Sequence, residues 1–127
     1  MIRVRVYEGG TLDEGVDVCL EARLYVASWA LRPSLTNADP TKDRLAVCFK
    51  DKEPVALAFI TDWSPWRQSE LERPTLMAFC KDSERRNGYA SRCVRALGDR
   101  PAGIVSYIGL EGSEKFWKRN GLTALET

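Results

Sequence analysis

Histidine is missing from this chain of 127 residues. With it go the imidazole base and the commonest metal ligand, so any general base must be a carboxylate, a tyrosine, a terminus or a water. Paired cysteines are missing too. Cys19, Cys48, Cys80 and Cys93 lie 29, 32 and 13 residues apart with no C-x-x-C pair, which argues against a structural zinc site, and no metal is expected. Each of the four sits inside an apolar pattern, as suits buried free thiols in a reducing cytoplasm. No apolar run reaches membrane-spanning length, and Met1-Ile2-Arg3-Val4-Arg5-Val6 reads as a strand, not a signal peptide. An excess of one charge is also lacking. The 19 Lys/Arg and 18 Asp/Glu give a net charge of +1, which argues against nucleic-acid binding by broad phosphate neutralisation. The balance is uneven along the chain, with 8 basic and 10 acidic residues in 1–64 but 11 and 8 in 65–127. There is no internal repeat, linker or low-complexity tract.

What is present suits one α/β domain over residues 1–127, with 44% hydrophobic and 29% charged residues. Ile2, Val4 and Val6 alternate with Arg3, Arg5 and Tyr7 as in a half-buried strand. After Gly9-Gly10, Thr11-x-x-Glu14 reads as a capping box. It opens a helix with one stripe of Val16, Leu20, Leu24, Ala27 and Leu31 and a second of Val18, Ala22, Tyr25 and Trp29, stopped by Pro33. The stretch from Pro33 to Lys42 reads as a mobile loop with a short helical turn. Arg44–Lys50 and Pro54–Ile60 form a tight antiparallel hairpin turning through Asp51-Lys52-Glu53. A polar loop from Asp62 to Arg73 carries Trp63 and Trp66. Strand Thr75–Cys80, helix Ala90–Leu97 ending near Gly98, strand Gly103–Ile108, a short helix Ser113–Asn120 and a last strand Leu122–Leu125 complete the order.

The most informative stretch is Arg85-Arg86-Asn87-Gly88-Tyr89-Ala90, between the Thr75–Cys80 strand and the following helix. A turn with small residues feeding a helix N-terminus aims unpaired N–H groups at one point, where the positive end of the helix dipole adds to them. Such a site suits a pyrophosphate, and Gly88 allows its close approach. On local chemistry alone, the same residues also read as a basic turn with no ligand.

Taken in order, these elements resemble a GNAT-superfamily N-acetyltransferase. The family signature Gln/Arg-x-x-Gly-x-Gly/Ala is matched by Arg85, Gly88 and Ala90, with the apolar Cys80 eight positions before the glycine. Phe116-Trp117-Lys118-Arg119-Asn120-Gly121-Leu122 resembles the family's aromatic-Tyr-x-x-x-Gly-Phe segment. The resemblance spans Ile2 to Leu125. It implies a mixed sheet with an antiparallel start, the Met77–Cys80 and Ile104–Ile108 strands parallel and splayed, and helices on both faces. It also implies acetyl-CoA as donor, with the pyrophosphate on the N–H groups of residues 86–90 and the pantetheine arm along Ala78, Phe79 and Cys80. Arg85, Arg86, Asn87, Gly88, Tyr89 and Ala90 would form the phosphate turn, the two arginines adding charge or standing as a solvated pair.

Two departures touch the chemistry. Trp117 stands where the family usually has its general-acid tyrosine, and an indole N–H does not protonate a thiolate at neutral pH. Leu110 stands where an asparagine is often found. The base is sought among Asp62, Glu70 and Glu72, and a replacement acid among Tyr107, Ser113 and Tyr89, all weak candidates. The acceptor, a primary amine of a small molecule or protein, would enter between loops 33–42 and 62–73, where Trp63 and Trp66 wall a pocket or meet a partner. A homodimer is left open. The alternative is a catalytically inactive module of the same fold that binds CoA or a protein partner.

Overall fold

The computed structural model describes residues 1–24, 31–61, 75–98, 116 and 118–120. Strand β1, Ile2–Glu8, forms as the alternation predicts, with Val4 and Val6 turned to one face and Tyr7 to the other. Helix α1, Leu12–Glu21, buries Leu12, Gly15, Val16 and Cys19 on one side. Its expected capping box is not made. Thr11 Oγ1 instead turns back to Glu8, donating to the carbonyl at 3.0 Å and accepting the N–H at 3.1 Å, while Glu14 reaches Arg5 at 3.6 Å.

The long helix expected through residue 31 stops early, at Arg23. Arg23 adopts a left-handed φ of 56°, Leu24 N–H bonds Cys19 O, and Arg23 N–H bonds Leu20 O. That pairing is a Schellman stop. The two apolar stripes hide it, because no glycine or proline marks the place. Helix α2, Leu31–Thr36, contains Pro33 instead of ending before it. Proline fits a first turn, where its missing N–H has no helical partner to lose.

The segment that follows α2, read as a mobile loop, is tied by hydrogen bonds. Asp39 Oδ1 accepts the Thr41 N–H and hydroxyl at 2.9 and 2.7 Å. Buried Asp43 accepts the Asp39 N–H at 2.8 Å and the Thr61 hydroxyl at 2.9 Å, which pins this segment to the sheet.

Strands β2, Arg44–Lys50, and β3, Glu53–Thr61, make the expected hairpin. Asp51 and Lys52 form a two-residue turn with φ of 49° and 75°, and Glu53 already pairs with Lys50. Two consecutive left-handed residues match the right-handed twist of the strands. Strand β4, Thr75–Cys80, pairs antiparallel with β3, and the described sheet runs β1-β2-β3-β4, antiparallel throughout. Strand 103–108, its splayed parallel pairing with β4, and strand 122–125 lie outside the described residues. Helix α3, Tyr89–Ala96, ends before Gly98, whose φ is 70°.

The sheet separates two cores. Tyr7, Leu45, Val47, Leu57, Phe59 and Met77 pack against α1 and α2. On the opposite face Ala46, Cys48, Ala56 and Ala58 meet Cys93, Val94 and Leu97 of α3. Alanines on that face let the helix lie close to the strands, and this places the start of α3 beside the end of β4.

Candidate functional site

The chain leaves β4 at Cys80 and crosses a single 3-10 turn, Asp82–Glu84, before α3 begins. Arg86 has a φ of 71°, and Gly88, at the N-cap, has φ 76° and ψ 15°. The first helical bond runs from Arg92 N–H to Gly88 O at 3.0 Å. The N–H groups of Tyr89, Ala90 and Ser91 therefore precede the helical ladder, and among the described residues no side-chain cap is made there. No acidic residue stands in the first turn of α3 itself, which leaves the positive end of its dipole without an internal counter-charge. A methyl carbon on Gly88 would meet no atom of the described residues within 4 Å. The glycine is thus required by its backbone angle, and its outer side faces open space that a ligand can enter.

The charged side chains of the turn divide into paired and unpaired. Arg85 bonds Asp82 at 2.9 Å. Arg86 is exposed and forms no ion pair among the described residues. Asn87 Nδ2 donates to Glu84 O at 3.1 Å. Two ion pairs tether the turn to the β2–β3 hairpin: Lys50 to Glu84 at 3.2 Å and Lys81 to Glu53 at 2.8 Å. These contacts raise the Lys50 ammonium above its usual range, through the hydrogen bond and then the charge of Glu84, and lower the Glu53 carboxyl, through Lys81. Tyr89, half-buried, packs on the alanine-rich core beneath α3.

Residues 78–80 do not converge through their side chains. Ala78 and Cys80 pack in the core under α3, and Phe79 in the core under α1. Burial pushes the Cys80 thiol up to about 11, so it is a neutral wall at ordinary pH. Asp62, Trp63, Trp66, Glu70, Glu72, Tyr107, Ser113 and Trp117 lie outside the described residues, as does any pocket between loops 33–42 and 62–73. No group of three or more metal-ligating side chains occurs among the described residues.

Two residues close to the turn were not singled out from sequence. Asn120 is 8% exposed and donates through Nδ2 to Ser91 Oγ at 3.2 Å and to Phe116 O at 2.9 Å. The turn that ends in Asn120 is thereby fastened to the first turn of α3. The one signal in sequence is Asn120-Gly121, which reads as a helix end and says nothing of a contact with residue 91.

A comparison with protein-family models finds no match to this sequence, and a comparison with curated proteins finds none either. Solved structures do match in shape. The ribosomal-protein-alanine N-acetyltransferase of Brucella melitensis biovar Abortus 2308 superposes with a TM-score of 0.56 at 11% identity, covering 100% of this chain and 93% of that one. An aminoglycoside N-acetyltransferase, AAC(6')-Iy in complex with CoA, gives 0.55 at 18% identity over 100% of this chain and 91% of that one. An N-acetyltransferase from Staphylococcus aureus Mu50 gives 0.57 at 14% identity over 95% and 82%. With its antiparallel sheet and helices on both faces, and superposed over nearly its whole length on these structures, this chain has the fold of the GNAT N-acetyltransferases.

Proposed function

We propose that this protein is an N-acetyltransferase that moves the acetyl group of acetyl-CoA to a primary amine. The observation that carries the reading is the start of α3, where uncapped N–H groups, a left-handed Gly88 and open space coincide in a fold shared with acetyltransferases. A structure of that fold holding CoA supports the choice of anion. The N–H groups of residues 86–90 bind the pyrophosphate, and exposed Arg86 adds charge. The pantetheine arm follows the backbone of Ala78, Phe79 and Cys80. A strand N–H there stabilises the oxyanion that forms as the neutral amine attacks the thioester carbonyl. Collapse of that intermediate breaks the C–S bond, releases CoA as the thiol after proton transfer from the amine, and leaves an amide. Proximity supplies much of the rate, so the reaction does not depend on a dedicated acid. Four free thiols, three of them buried, favour work in the reducing cytoplasm.

Incubation with acetyl-CoA labelled in its acetyl group, against peptide, lysine and small-amine panels, tests the proposal. Label in an amide product is expected. A second reading, a CoA-binding module without transfer, is favoured by Trp117 at the position of the family's usual acid. CoA binding with no labelled amide across all three panels would support it over the first.

A further inference from the structure

Glu84 brings a carboxylate into the turn that is to hold an anion. Asn87, the residue before Gly88, is bonded to its backbone carbonyl at 3.1 Å. The Glu84 side chain is only 18% exposed, so solvent screens it poorly. Left alone, a carboxylate there would oppose a pyrophosphate a few residues away. Lys50, at the end of β2 and 34 residues distant in sequence, meets both of its oxygens, at 3.3 and 3.2 Å. The other carboxylate of the turn, Asp82, is matched by Arg85 from within the turn itself. With both acids paired, Arg86 beside Gly88 has no counter-charge in an ion pair among the described residues.

We propose that Lys50 is a positioning residue that acts on the anion site through Glu84, cancelling its carboxylate so that the turn presents a net positive face to a pyrophosphate. The inference rests on the acetyltransferase reading above. Its chemistry is specific. The partner of Lys50 is a carboxylate, not the ligand, so what matters is the charge balance of the pair and not the lysine alone. Arginine in its place can make the same two-point contact.

Calorimetric titration with CoA of the parent, Lys50→Met, Lys50→Arg and the double variant Lys50→Met/Glu84→Gln tests this, with thermal melting to show that each is folded. Lys50 is 43% exposed, so its replacement leaves no buried void. Lys50→Met should weaken CoA binding by about tenfold, because an uncancelled carboxylate then faces the phosphates. Lys50→Arg should bind as the parent does. The double variant, which has lost both charges, should recover to within about threefold of the parent. Equal affinity of Lys50→Met and the parent overturns the inference. A folded double variant as weak as Lys50→Met overturns it too, since the lysine would then serve only as a tether. A parent that binds no CoA overturns the acetyltransferase reading, and this inference with it.

Discussion

Gly15 of α1 lies against the ring of Tyr7 in β1: a methyl carbon on Gly15 would run into Tyr7 Cγ and stand 2.7 Å from its Cβ. The contact fixes how closely the helix approaches the sheet. Tyr7 is itself held in place, buried to 2% exposure with the Arg5 guanidinium 4.6 Å from its ring centre. Gly15→Ala should therefore destabilise the protein by about 1–3 kcal/mol through overpacking. This outweighs the gain of about 1 kcal/mol that alanine brings to a helix interior. Urea unfolding measures the difference, and a variant as stable as the parent would show that the ring can move away.

Cys19 makes the stability of the same region depend on alkaline pH. It is fully buried, and burial pushes its thiol from the ordinary 9.0 up to about 12. The folded chain keeps a proton that the unfolded chain releases, so the stabilisation is complete below about 9 and is lost as pH rises towards about 12. Cys80, pushed up to about 11, acts in the same direction over a narrower range. Thermal melts between neutral and strongly alkaline pH should fall steeply for the parent and less steeply for Cys19→Ala, whatever that variant loses at neutral pH. Parallel curves would mean that the buried thiol does not govern the alkaline limb.

Gly88 offers a graded test of the turn. Its φ of 76° strains most side chains, while the space beyond it is open. Asparagine tolerates the left-handed region better than other residues, and a β-branched residue tolerates it worst. CoA affinity should fall in the order Gly88, Gly88→Asn, Gly88→Val, with the last weakened by more than about tenfold. Circular dichroism establishes that the fold survives. Undiminished binding in folded Gly88→Val would remove the turn from the phosphate site.

Much of this architecture is legible in the sequence, because its signals are local. Ile2–Val6 alternates, Asp51-Lys52 accepts a tight turn between two apolar strands, and Gly88 and Gly98 bracket α3 where left-handed residues are needed. The stop at Arg23 is not legible. It depends on an arginine taking a conformation that glycine usually takes, in the middle of an unbroken apolar pattern. Thr11 is misread for a related reason. Its hydroxyl has two backbone groups in reach, and the residues of the motif do not say which it chooses. The contacts that tie the site together are further from sequence still. Lys50 meets Glu84 across 34 positions, and Asn120 meets Ser91 across 29, so each exists only once the sheet and α3 have been assembled.

Whether the start of α3 receives the pyrophosphate of CoA is read from calorimetric titration of CoA into the unmodified protein. One CoA should bind per chain with a dissociation constant on the order of micromolar, as a pyrophosphate site with an adjoining strand should give. Binding should weaken as salt is raised, since phosphate recognition is part of it. A folded protein that shows no heat of binding up to about millimolar CoA would contradict the account.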